Sequence, residues 1–267
     1  MRRVAKSVIF ALGGLSLKSS GSDGCGYFLV EKLGHTMVKP LPALCPLCCK
    51  EDFYADIAGV RVNGKVFLYA DDELIAAESG QIQFTSYGIS GIVTFQLSVY
   101  AAINIKKGKS VYAVLDFALP FSEDDLYNTF ACFAKNNPKR SCLGSLCGIL
   151  NQKLSAAILK LSDIPFDKRF GELKESEIRR IIYFIKHFRT EIKEPLGLEK
   201  AQVTAGGADV SEINPLTMES RIHKGIYFAG EMIDVDGKCG GYNLQWAWSS
   251  AYVAAKSAIG EYNAQSK

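Results

Sequence analysis

Apolar and polar positions change period several times along this chain of 267 residues. Near the start, Ser7-Val-Ile-Phe-Ala-Leu12 is an apolar run that stops at Gly13-Gly14. That pattern predicts a short buried parallel strand, extended back to Val4. A helix is expected from about Ser22 to Leu33, with Gly34 suited to end it. From Ile57 to Tyr69 the residues alternate around Asn63-Gly64, which predicts a two-residue hairpin turn at that dipeptide. Short strands are expected at Glu73–Glu78, Gln81–Phe84 and Val111–Phe117. Helices are expected at about Ser122–Lys135, Gly144–Lys160 and Lys174–Phe188, the last with good first-turn acids, followed by a returning strand at Arg189–Lys193. The apolar stretch Ile89–Ile105 carries Ser90, Thr94, Gln96, Ser98 and Asn104, so it reads as a buried helix and not a membrane span.

The most informative pattern lies near the end. Ile226 to Ala229 reads as a short buried strand, followed by a Gly230-Glu231 corner, an acidic loop and the pair Gly240-Gly241. Beyond it Leu244, Ala247, Trp248, Ala251, Ala254, Ala255 and Ala258 fall on one helical face up to about Ile259. A helix opened by glycines leaves its first amides free and lets a ligand approach them closely. The positive end of such a helix suits a negatively charged or electron-rich group. An ordinary packed terminal helix gives the same pattern.

Composition narrows the class. Hydrophobic residues make up 48% of the chain, enough for real cores in two modest domains. The net charge is only +3, with 31 basic and 28 acidic residues interspersed, so no nucleic-acid surface or polybasic membrane patch is indicated. Met1-Arg-Arg-Val-Ala-Lys6 before the first apolar run imitates a signal peptide, but Gly13-Gly14 interrupt that run and favour the strand. Cys45-x-x-Cys48 could be a redox pair or half a metal site; Cys142-x4-Cys147 is a poor second half. The eight cysteines are read as small buried hydrophobes in a reducing cytoplasm. Asp234 and Asp236 could bind metal or work as acid and base, but read as a solvated turn ending in Gly237. No metal site is assigned. His35, His187 and His223 are scattered and suggest no catalytic set. Gly24-x-Gly26 fails as a dinucleotide fingerprint because Leu29 stands at the third glycine position.

Several segments together resemble one family. They are Ala11-Leu-Gly-Gly-Leu-Ser16 with Gly21-Ser-Asp-Gly-Cys-Gly-Tyr27, Pro42-Ala-Leu-Cys-Pro-Leu47, and Phe84-Thr-Ser-Tyr-Gly-Ile-Ser-Gly91. Thr204-Ala-Gly-Gly207, Glu212-Ile-Asn-Pro215, Thr217-Met-Glu-Ser220 and the 225–250 stretch follow. They resemble the BaiN/YhiN-like family of FAD-dependent oxidoreductases, the aminoacetone-oxidase-like flavoproteins. The resemblance implies an α/β fold: a partial FAD-binding, glutathione-reductase-like Rossmann domain, interrupted by an inserted α+β domain of a small β-barrel plus helices. Its segments would be 1–50 and 196–267 for the FAD-binding domain and 51–195 for the insertion.

By the same resemblance, the cofactor-binding positions are Gly13, Gly14, Gly206, Gly207, Gly230, Glu231, Gly240, Gly241, Tyr242, Asn243 and Leu244. Glu231 would accept hydrogen bonds from the ribityl chain. Gly241 to Leu244 would lie beside the flavin ring, where the helix end steadies the charge of the reduced form. Cys239, just before the glycine pair, could face the flavin. Leu12 replaces the family's Thr, Ser86 its His and Ile92 its Pro, so no catalytic residue is named. The implied activity is hydride transfer via FAD to or from a small organic substrate, an enone or ketone, with NAD(P)H as a possible electron donor. The family's opening Gly-x-Gly-x-x-Gly unit, the first βαβ, has no counterpart here. The chain is therefore expected to be amino-terminally truncated, to bind FAD weakly or not at all alone, and possibly to pair with a separate N-terminal half. A non-catalytic module folded around the insertion and a secreted cysteine-rich binding protein are the alternative classes.

Overall fold

The computed structural model describes residues 5–260; Val4 and the basic residues before it, assigned above to the first strand and its approach, lie outside the described residues. The chain divides into two compact units, one of Met1–Cys45 with Leu196–Lys267 and one of Pro46–Pro195.

The first unit opens with β1 (Val8–Phe10) and α1 (Cys25–Lys32), followed by β2 (Met37–Ala43). α1 ends as Gly34 predicts: the Gly34 amide donates to the Glu31 carbonyl and Gly34 takes a φ of +86°. The strand β2 is not visible in the pattern, because Pro40 and Pro42 demote it. It is nonetheless paired, antiparallel with a later strand and with an irregularity between Val38 and Leu41.

The second unit contains β3 (Leu47–Cys49), α2 (Tyr54–Ile57), β4 (Arg61–Ala70), β5 (Glu73–Thr85) and β6 (Gly88–Ser90). It continues with α3 (Ile92–Lys106), β7 (Val111–Asp116), α4 (Glu123–Asn136), α5 (Cys142–Leu146), α6 (Gln152–Leu161), α7 (Glu175–Lys186) and β8 (Phe188–Pro195). Its six strands close a barrel in the order β3-β6-β5-β4-β7-β8. Phe84, Phe117 and Phe188 meet in its core with ring centroids 5.4 to 6.2 Å apart. Each such ring contributes about 1.5–3 kcal/mol by leaving water. The Ile89–Ile105 stretch becomes β6 and α3, and α3 buries Val93, Leu97 and Ala101.

Three features depart from the pattern. The hairpin is not at Asn63-Gly64: β4 runs straight through it, and the turn falls at Asp71-Asp72, both at positive φ (48° and 66°). Asp tolerates that region almost as Asn does, and here the side chains are tied down. Asp71 accepts from the Ser110 amide at 2.9 Å and Asp72 from the Tyr112 hydroxyl at 3.0 Å. Gly64 instead serves close approach, since a Cβ there would stand 2.6 Å from the Asp116 carbonyl oxygen. The two strands expected at 73–84 are one. The helix expected over Gly144–Lys160 is broken into α5 and α6, capped separately by Ser141 and Asn151. All eight cysteines are free thiols, but only Cys45 and Cys142 are buried while Cys25, Cys132 and Cys147 are exposed. Hydrophobic burial therefore explains two of them, not eight. Among the described residues no His/Cys/Asp/Glu group is placed to hold a metal and no helix is long and apolar enough to cross a membrane.

The last stretch returns to the first unit as β9 (Val203–Ala208), β10 (Ile226–Phe228) and α8 (Tyr242–Ala258). β10 pairs in parallel with β1, Val8 opposite Ile226 and Phe10 opposite Phe228; β9 pairs antiparallel with β2. Val30, Ala208, Phe228, Met232 and Ala254 form this unit's core.

The turn assignment is testable. Gly64→Val should lower stability in urea by about 2–3 kcal/mol through overpacking, whereas Asp72→Gly should change it by less than about 1 kcal/mol. A hairpin at Asn63-Gly64 would give the opposite ranking.

Candidate functional site

The first unit brings four separated segments to one crossing. After β1 the chain turns at Gly13-Gly14, and the Thr204 hydroxyl at the head of β9 gathers that turn. It accepts the Leu15 amide at 2.8 Å and the Ser16 amide at 2.9 Å, and pairs with the Ser16 hydroxyl at 2.9 Å. The Thr204 amide in turn donates to Glu231 Oε1 at 2.6 Å. Gly14 is required at the contact: a Cβ there would sit 2.5 Å from the Thr204 hydroxyl and 2.9 Å from the Glu231 carboxyl carbon. Gly206 and Gly207 serve crossing backbones in the same way, the first against Val38–Pro40, the second against Met232–Asp234.

Glu231 stands in a short 3-10 turn, Gly230–Met232, directly after β10. This corner is fastened to α8. The Gly230 amide donates to the Ser250 hydroxyl at 2.9 Å, and the Trp246 indole donates to the Gly230 carbonyl at 3.1 Å. The loop before α8 is fastened too. Asn243 Oδ1 accepts the Gly237 amide at 2.8 Å and its Nδ2 donates to the Gly237 carbonyl at 2.9 Å. The Asn243 side chain thus shapes the loop, and only its amide remains for a ligand.

The start of α8 is open. Gly241 holds the N-cap position at φ +90°, no side chain caps the helix, and nothing lies within 4 Å of where a Gly241 Cβ would be. Tyr242 and Leu244 are exposed. The first-turn amides of Tyr242, Asn243 and Leu244 make no hydrogen bond among the described residues, so the positive helix end is uncompensated. Gly240 precedes them, with Cys239 half-buried 3.9 Å from Gln202 Oε1.

Two participants escaped sequence reasoning. Thr204 was visible only as the first residue of a glycine motif, yet it is the hub. Tyr27 on α1 is buried, and its hydroxyl has no partner among the described residues. Burial, then the charges of Glu231 and Asp234, raise its pKa, so it remains a neutral donor without an acceptor. Burial also raises the Asp234 carboxyl. An orphaned buried hydroxyl beside a carboxylate, together with an open helix start, fits a bound polar cofactor in this unit.

Two of the three histidines are close in space, while His187 lies in the barrel unit against Glu123. His35 and His223 have ring centroids 6.3 Å apart. His35, buried, bridges Glu212 Oε2 at 2.9 Å through Nδ1 and the Ser220 hydroxyl at 2.9 Å through Nε2. The acid–His–Ser order imitates a hydrolase triad, but Ser220 is buried and its oxygen accepts the Ile222 and His223 amides. It is a clamp between the α1–β2 connection and the 212–223 loop, with no attacking oxygen to offer.

The chain, with its Rossmann-type α/β unit and its six-stranded barrel unit, matches the HI0933-like protein Rossmann domain over residues 2–257, and it belongs to that family. It is similar to a 3-dehydro-bile acid delta(4,6)-reductase of Clostridium scindens, 39% identical over 95% of this chain and 62% of that protein. It is also similar to the ribosomal RNA dihydrouridine synthases of Escherichia coli (32% identical, 95% of this chain, 61% of that protein) and Haemophilus influenzae (30%, 94% and 60%). The chain spans about three-fifths of the length of these curated relatives.

Two outcomes test the crossing. Thr204→Val keeps the shape but strands the Leu15 and Ser16 amides, and should cost about 2–3 kcal/mol by denaturant titration. The Glu212 carboxyl lies below its ordinary value of 4.5, chiefly through its hydrogen bonds from Thr36 and then from His35. Its stabilisation is therefore full above that value and is lost as pH falls through the lowered one. Glu212→Gln should accordingly destabilise by about 1–2 kcal/mol at pH 7, with the gap to wild type closing as pH falls below 4.5. A gap independent of pH would refute the assignment.

Proposed function

We propose that this chain is the cofactor-facing part of an FAD-dependent oxidoreductase that transfers hydride via the flavin to or from a small organic substrate. The observation that carries this reading is the uncapped start of α8, with Gly241 at positive φ and open space before it. A bound flavin supplies the two-electron chemistry. The chain's own part is electrostatic and positional. The amides of Tyr242 to Leu244 favour negative charge in front of them by about 0.3–1 kcal/mol when exposed and up to about 2 when partly buried. Gly13 and Gly14 give backbone-close approach beside Glu231, which Thr204 holds in place. Tyr27 has a proton to donate to a polar group of the ligand.

The relatives' names support a substrate class. One is a reductase of a delta(4,6) bile acid, the others make dihydrouridine; both names describe hydrogen added across a ring carbon–carbon double bond. We infer a substrate with such a bond conjugated to a carbonyl, NAD(P)H as the electron donor, and a cytoplasmic setting consistent with eight free thiols.

FAD fluorescence titration tests the reading. Addition of the chain should quench FAD saturably, though weakly, and Gly241→Val should weaken binding at least about tenfold by straining the helix start. No saturable change at millimolar FAD, or equal affinity in the variant, would contradict it.

A further inference from the structure

The flavin reading makes no use of a groove of about 470 Å³ in the barrel unit, where the first turn of α3 meets β5. Two glycines seat the helix directly on the strand. A Cβ on Gly91 would stand 2.7 Å from the Gln81 carbonyl oxygen, and one on Gly80 3.0 Å from Val93 Cγ1. α3 is a full helix of 15 residues, yet no side chain caps its start and no acid stands in its first turn. The positive end of its dipole therefore opens on the groove uncompensated.

Further observations, independent of the helix end, point to a ligand. Ser90 lines the groove and is only 8% exposed. Its carbonyl accepts from the Thr94 hydroxyl at 3.0 Å, but its own hydroxyl makes no hydrogen bond among the described residues. That hydroxyl has a donor proton to give to a group in the groove. Arg61, from β4, also lines the groove and forms no ion pair among the described residues. The lining contains no carboxylate; Gln81, Gln83 and Gln96 supply its neutral polar groups.

We propose that this groove binds a small organic oxyanion, a carboxylate or a phosphate monoester. Its charged oxygens sit between the α3 first turn, the Arg61 guanidinium and the Ser90 hydroxyl, and its body hydrogen-bonds along Gln81, Gln83 and Gln96. The site does not depend on flavin binding, so its failure leaves the oxidoreductase reading untouched.

The test is an amide chemical-shift titration of the ¹⁵N-labelled chain at low salt with inorganic phosphate, with acetate, and with N-methylacetamide as neutral control. At least one anion should shift the Ile92 and Val93 amides to saturation, and the neutral amide should not. Saturation by phosphate alone assigns a phosphate ester, by acetate alone a carboxylic acid, and by both their shared oxyanion. Arg61→Gln, an exposed position that should leave the fold intact, should weaken binding about tenfold, and Ser90→Ala severalfold. Absence of saturable shifts at these amides with either anion, or undiminished affinity in Arg61→Gln, overturns the proposal.

Discussion

The first unit depends on one crossing that has no room for a Cβ. Gly14 lies against the Thr204 hydroxyl and the Glu231 carboxylate, and the hydroxyl in turn holds the amides that follow the glycine turn. These hydrogen bonds include one that is charge-assisted, from the Thr204 amide to the Glu231 carboxylate, and so roughly twice as strong as the neutral ones. They join the end of β1, the head of β9 and the corner after β10, three places far apart in the chain. Through Gly230, Trp246 and Ser250 the same corner also fixes where α8 lies. The open helix start is thus the end of a chain of constraints and not a frayed terminus.

The barrel unit is built on a different economy. Its strands close on themselves, which removes sheet edges, and its aromatic core supplies the burial. Glycine appears there too, at Gly64, Gly80 and Gly91, where backbones or a helix start come close to a strand. In both units, then, some glycines mark contact distance and not a turn.

That distinction explains much of what could be read from the sequence. The helices α4 and α7, the strands β7 and β10 and the Gly34 helix end were legible because period or end signals agree with the final packing. α8 was legible as a helix, but Leu244, Trp248, Ala251 and Ala255 of its expected apolar face are exposed, and Trp246, Ser250 and Ala254 pack instead. Asn63-Gly64 misled because the dipeptide fits a turn locally, whereas the cross-strand partners Gly80 and Asp116 that claim Gly64 are distant in sequence. β2 was hidden by its prolines. The glycine pairs and Glu231 were quoted from motif resemblance; their contacts were not legible. Thr204 as a hub and Asn243 as a loop clamp depend on partners 189 and 6 positions away, and Tyr27 as an orphaned donor depends on its burial in the folded unit. No periodicity carries that information. The clustering of His35 with His223 was invisible for the same reason.

Native-state hydrogen exchange reads the crossing and the helix start together. The account predicts that the Leu15, Ser16 and Thr204 amides exchange as slowly as the β9 and β10 core, with and without FAD. The Tyr242, Asn243 and Leu244 amides should exchange rapidly in the chain alone and become protected when FAD is added. Rapid exchange at Leu15 and Ser16, or protection at Tyr242 to Leu244 that FAD does not change, would contradict it.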